Sequence, residues 1–330
     1  MDGRRPASAD GTPVAEAPAD ASSIARVSRP GWTVVAVYAA LSLALGGQWI
    51  AAKLGVTAVP ALELSTVRFA IASVVLLAAC AFTRTPLPLR RWRPILGAAA
   101  CGVLGFNTLA FVGLSYTPAS DSALIIPTVI PLATALFATL IQERFTRVKA
   151  IGFAVASIGA TLVIGGGQQG GGDATSLRLR GDLMELGAAT GWAASLTIGA
   201  IVLRKENVLG YVTLMVLIGA LLLAPLGLLA QGYRDVPSWR SDTWIAAGSL
   251  GVVSTAIAFV LFFWAVHRFG PSLAAMVSYL TPVSALILAF VVLAERPLPL
   301  QLAGGAVIVI GVRIAARRPP APRRQVAATA

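Results

Sequence analysis

The sequence predicts an all-α polytopic membrane protein with ten transmembrane helices, laid out as two inverted five-helix repeats. Three observations lead there. First, 57% of the 330 residues are hydrophobic and only 12% are charged, with a mean hydropathy of +0.80. A soluble chain carries about twice that share of charge. Second, the apolar residues gather in runs of about 20, the length that crosses a bilayer as a helix. A spanning segment must satisfy its own backbone, as a helix or within a closed barrel, and these runs do not alternate as barrel strands do. Third, one stretch of sequence occurs twice.

The expected spans are 32–53, 61–82, 94–114, 118–140, 148–165, 181–203, 208–230, 243–266, 271–294 and 300–316. Residues 1–30, rich in Ala, Pro, Ser and Asp, have no apolar core; they read as a disordered cytoplasmic tail and not as a signal peptide. With that tail inside, 19 Lys and Arg residues fall in cytoplasmic segments and 6 in outer ones, leaving Arg68 within a span. The positive-inside rule then keeps both termini in the cytoplasm, the last as a basic tail over 317–330. A net charge of +12 and a pI near 10.9 would point to nucleic acid in a soluble protein. Here the basic residues sit in short clusters between spans, so no nucleic-acid partner is expected. Cys80 and Cys101 lie within apolar runs and read as small core residues.

The repeat pairs "ERFTRVKAIGFAVASIG" (143–159) with "ERPLPLQLAGGAVIVIG" (295–311), matching Glu143 with Glu295, Gly152 with Gly304 and Gly159 with Gly311. The halves are 31–165 and 181–316, joined by a Gly-rich connector over 166–180. Five spans per half is an odd number, so the two halves insert in opposite orientations. Transporters built this way bind substrate near the midplane, where the halves meet.

Several motifs resemble the drug/metabolite transporter superfamily, in its EamA-type ten-helix branch. "GGQWIAAKLG" is similar to the opening pattern of the first helix, and "ELSTVRFAIA" to the arginine pattern of the second. "SYTPASDSALIIPTVIP" and "FGPSLAAMVSYLTPV" resemble the starts of the fourth and ninth helices, and "RGDLMELGAATGWAAS" that of the sixth. Two departures stand out: Leu45 where many relatives carry Trp, and a first half one residue shorter between Pro131 and Glu143. The resemblance implies secondary transport, often export of amino acids or other metabolites.

Candidate functional residues follow from polar and aromatic groups inside the spans. Tyr38, Ser42, Gly46, Trp49 and Lys53 share one face of the first helix, which suits a cavity wall better than lipid. Lys53 either marks the cavity's outer mouth or snorkels to headgroups. Arg68 lies about 10 Å into the second span; burying it unpaired costs ~2.5–3.5 kcal/mol on insertion scales, so a partner or a wet cavity is expected. It reads as a holder of a substrate carboxylate or as a helix brace, with snorkelling to the outer headgroups as the alternative. Asn107 and Phe111 share a face of the third span; Trp192 and Tyr279 are aromatic candidates for cavity walls. Glu63 and Glu185 are the candidates for proton coupling, Glu185 being equally well explained as an interfacial group. Pro127, Pro131 and Pro282 are expected helix kinks. Glu143 has the spacing for a surface ion pair with Arg147, and His267 reads as passive.

The function read from the chain is secondary active transport of small metabolites across the inner or plasma membrane by alternating access, with proton coupling as a further expectation, and the resemblance implies export of amino acids or related compounds. A passive channel or facilitator is the alternative, and an intramembrane enzyme a weaker one. The partners expected are a small-molecule metabolite and the lipid bilayer, with a homodimer left open. No cofactor, metal or catalytic constellation is expected.

Overall fold

The computed structural model describes residues 32–56, 59–113, 116, 119–143, 146–166, 176–230, 233–293 and 298–315. Its contacts divide the chain into Met1–Ala36, of which 32–36 are the first turns of a helix, and Val37–Ala330. Everything below concerns the second unit. Among the described residues every regular element is a helix.

Helices α1 (Trp32–Val56) and α2 (Ala61–Thr83) open the chain. Glu63 in the first turn of α2 complements the positive end of the helix dipole. The helix stops at Arg84, whose φ of 53° is left-handed, and Pro86 and Pro88 follow, which cannot continue a helix. The third apolar run is α3 (Trp92–Ala99), a π-helical segment π1 (Ala100–Gly105) and α4 (Phe106–Gly113). Next come α5 (Ala119–Leu140), α6 (Arg147–Gly166), α7 (Ser176–Val202) and α8 (Val208–Ala230). The eighth run again holds a π segment: α9 (Ser241–Ser249), π2 (Leu250–Ile257) and α10 (Ala258–Phe269). Then follow α11 (Pro271–Ala275), α12 (Val277–Leu293) and α13 (Pro299–Ala315).

Two differences from the sequence reading stand out. Helix α7 takes in residues 176–180, placed in the connector by their charge, so Glu185 lies well inside the helix and not at its start. The ninth run is not one helix. It breaks at Met276, whose N–H bonds the Leu273 carbonyl at 3.1 Å, a tighter i→i−3 turn. Helices α5 and α12 run on through Pro127, Pro131 and Pro282.

Four segments are long and apolar enough to cross a membrane: Leu62–Thr83, Leu179–Val202, Val208–Leu229 and Ser241–Phe269. Shorter apolar helices cover Val35–Gly47, Ile125–Leu140 and Pro299–Ala315. Leu136, Ile151, Ile158, Leu221, Leu229 and Val291 turn outward, whereas Ser42, Thr134, Glu185, Ser195 and Thr213 are buried. A soluble fold would not leave so many large aliphatic side chains outside, and the pattern is that of an integral membrane protein.

Helices α6 and α13 pack backbone to backbone. A Cβ added at Gly152 would strike Ala315, one at Gly159 would lie 2.6 Å from the Ile308 nitrogen and 2.7 Å from the Gly304 oxygen, and one at Gly311 would strike Ala156 and the Gly152 oxygen. The start of α6 therefore meets the end of α13, and the two helices run antiparallel. Small residues allow this approach, which in a bilayer supplies the packing that hydrophobicity cannot. Under the sequence repeat, Gly159 against Ile308 and Gly304 becomes Gly311 against Ala156 and Gly152. One contact is made twice.

Candidate substrate site

Arg68 projects from the second turn of α2 and is half-buried. Its Nη2 donates to Asn107 Oδ1 at 2.7 Å. Asn107, buried at the start of α4, donates its Nδ2 to the Val103 carbonyl at 2.7 Å, four residues back in π1. A carbonyl only accepts and a guanidinium only donates, so these two bonds fix which way the amide points. The Arg68 Nε–H is buried and meets no acceptor among the described residues. No carboxylate pairs with Arg68 among the ion pairs of the described residues.

Rings line the same region. The Arg68 Cζ lies 4.9 Å from the centroid of Phe69. Phe69 stands 6.1 Å from Phe259, which stands 5.2 Å from Trp192, both edge-on. Trp192 is also 5.6 Å from Phe106 and 6.1 Å from Phe262. A chain of aromatic contacts that starts at Phe69, the ring against the guanidinium, thus joins α2, α10, α7 and α4.

Both π segments bear on this group. Gly102 in π1 packs so tightly on Ser195 and Trp192 of α7 that a side chain has no room. Gly251 in π2 lies against α2, where a Cβ would come 2.8 Å from the Arg68 carbonyl and 2.9 Å from Ile71. Single π turns often mark functional sites; here π1 supplies the Val103 carbonyl that holds Asn107, and π2 packs on the α2 backbone at Arg68.

The other candidates distribute as follows. Ser42 is hydrogen-bonded to Ser284 of α12, and the Tyr38 hydroxyl donates to the Leu273 carbonyl at 3.1 Å. Tyr38 and Ser42 of the first-helix stripe therefore face protein, and their hydroxyls are engaged in helix contacts. Trp49, Lys53 and Phe111 lie outside the described side chains. Glu63 is buried in the first turn of α2. Glu185 is fully buried against α4, where a Cβ on Gly113 would come 3.1 Å from its Oε1.

Tyr279 does not join the Trp192 group. It is fully buried among α5, α6 and α13 with Phe153, and its hydroxyl shares a 2.8 Å bond with Ser157. Glu143 pairs with Lys149 at 2.7 Å, not with Arg147. The spacing rule fails because Glu143 lies past the end of α5 and Arg147 is the first residue of α6, so no single helix carries both. The second Glu143 oxygen accepts from the Ser272 N–H at 3.4 Å. His267 is exposed at the end of α10.

Sequence reasoning missed the Arg68–Asn107 bond, the two π segments, and Phe69, Phe259 and Phe262 as ring neighbours. Arg68 and Asn107 were each marked as polar groups deep in a span, which was the available signal. Which of them meet is a matter of helix neighbours, which no one-dimensional pattern carries.

A helical membrane protein with a half-buried arginine inside a span defines the class. The chain belongs to the EamA-like transporter family, which it matches over residues 32–165 and again over 179–317. It is 30% identical to the "probable terminal-alkyne amino-acid exporter" of Streptantibioticus cattleyicolor, over 79% of this chain and 86% of that one. It is 24% identical to the "uncharacterized inner membrane transporter YedA" of Escherichia coli K12, over 76% and 79% of the two chains. A crystal structure with 22% identity superimposes with a TM-score of 0.74, covering 86% of this chain and 96% of the other; that likeness shows the fold alone. The protein is a transporter.

Proposed function

We propose that the chain is a secondary active exporter of small metabolites of the amino-acid type, working by alternating access between two inverted five-helix halves. The observation that carries this reading is the α6–α13 seam. Residues matched by the repeat meet each other twice along antiparallel helices. Such a self-matched, antiparallel contact is what a two-fold axis in the membrane plane produces. The double match to one family supports the duplication, and the name of the Streptantibioticus relative supports the substrate class and the direction. The distribution of Lys and Arg favours ten spans with both termini in the cytoplasm of a cell-membrane protein.

Polar ties gather at the arginine-rich end of the bundle. Arg204 donates to the Ile141 carbonyl at 2.9 Å, Asn207 to the Pro86 carbonyl at 3.2 Å, and Glu143 accepts from Ser272. Each joins the first half to the second. They suit a conformer closed on its cytoplasmic side, which the transport cycle opens. Glu63 and Glu185, both buried acids, are the groups proposed to carry protons.

The test is flux in proteoliposomes with L-propargylglycine, L-leucine and L-phenylalanine. Saturable uptake with accelerated counterflow, responsive to an imposed pH gradient, is the expected result. Non-saturating flux without counterflow would make the protein a facilitator. Indifference to the gradient would remove Glu63 and Glu185 from the cycle.

A further inference from the structure

We infer that Arg68 is the point where the substrate is held, that it takes a carboxylate group, and that Asn107 is its positioning residue. This rests on the reading of the chain as a carrier.

The first argument is charge. A guanidinium stays protonated at any physiological pH, so Arg68 brings a full positive charge into the span. Its partner from the described residues is Asn107 Oδ1, a neutral acceptor. The amide satisfies one N–H and leaves the charge uncompensated. An anion at this point supplies the counter-charge that the described residues withhold.

The second argument is geometry. A carboxylate binds a guanidinium best through two parallel N–H···O bonds. The Nε–H is buried without an acceptor, so one half of such a fork stands ready. Asn107 holds the guanidinium by one nitrogen and is itself tied to Val103. That tie removes rotamer freedom before the ligand arrives, which strengthens binding by lowering its entropic cost.

The third argument is the neighbouring ring. Phe69, 4.9 Å from the guanidinium carbon, presents a ring and no charge. The remainder of the ligand is thus apolar or weakly polar. A ligand carrying a net positive charge would be repelled by the unpaired Arg68. The class is a small carboxylate-bearing molecule with an uncharged side chain, and its amide or decarboxylated amine is excluded.

The experiment compares L-propargylglycine, L-leucine and L-phenylalanine with their amides and their decarboxylated amines in proteoliposomes of the full chain. Wild type is expected to take the acids at least tenfold better by kcat/KM. Arg68→Gln loses that preference and Arg68→Lys retains part of it. Asn107→Ala raises KM more than it lowers kcat. Asn107→Asp is the sharpest variant: it sets a carboxylate beside Arg68, so the protein stays monodisperse and helical while acid uptake falls more than tenfold. Equal handling of acid and amide by wild type, a measurement that needs no variant, overturns the inference. Wild-type KM for acids in Arg68→Gln, or undiminished acid uptake in Asn107→Asp, overturns it as well. In these cases flux persists and the carrier reading survives. Absence of flux for the whole panel by folded wild type overturns the proposed amino-acid carrier and the site together.

Discussion

A methyl group placed on the α6–α13 seam tests the packing directly. In Gly159→Ala the new Cβ would lie 2.6 Å from the Ile308 nitrogen and 2.7 Å from the Gly304 oxygen. Ordinary contact begins near 3.4 Å, and the obstructing atoms are backbone, so the helices must part by about 0.7 Å. A gap of that size forfeits a quarter to a half of each dispersion well along the seam. Overpacking of this kind costs about 1–3 kcal/mol. Gly311→Ala meets the same contact on the other side and should cost a similar amount. Once one methyl has parted the helices, the second finds room already made. The double variant should therefore cost less than the sum of the singles, by at least ~0.5 kcal/mol. Gly248→Ala is the control, because nothing lies within 4 Å of its Cβ position; it should be neutral or stabilise by up to ~1 kcal/mol. Reversible unfolding in mixed micelles, followed by far-ultraviolet circular dichroism, measures all four. Single variants within ~0.5 kcal/mol of wild type, or a strictly additive double, would refute the doubled contact.

Three further expectations can be checked alongside. Lys149→Ala should lower stability by up to about 1 kcal/mol, the scale of a partly exposed ion pair, while Arg147→Ala changes it little; the reverse order would restore the same-helix pairing. Ser157→Ala leaves the buried Tyr279 hydroxyl without its partner and should cost about 1–3 kcal/mol, more than Tyr279→Phe at about 0.5–1.5, with KM unmoved in both because they lie apart from the Arg68 group. Glu185→Gln should keep counterflow and lose its response to a pH gradient, measured in the same vesicles; loss of both together would make Glu185 structural.

Much of the architecture was legible because bilayer physics leaves few choices. An apolar run of about 20 residues has to become a helix, and the described helices follow the expected runs closely. What escaped was whatever depends on neighbours. The π segments arise where Gly102 and Gly251 press against α7 and α2, contacts that no local periodicity records. Met276 breaks a run whose composition stays apolar throughout. Glu143 showed a helical spacing to Arg147, but the chain turns between them, and Lys149 takes the bond. At the site, polarity and depth picked out Arg68 and Asn107 separately. Their bond depends on how α2 and α4 are rotated against each other.

The seam has a bearing on how this chain came to be. A surface that pairs with its own copy has to be invented only once, because every improvement is counted twice. A half-length ancestor could have assembled from identical pieces with nothing more. On the proposed duplication, fusion into one chain released the copies to diverge wherever they do not touch. The cation and amide at Arg68 and Asn107 both lie in the first half, while the glycines of the seam remain in both. The seam glycines Gly152 and Gly304, and Gly159 and Gly311, match at the repeat, and the arginine and amide occur on one side of it alone.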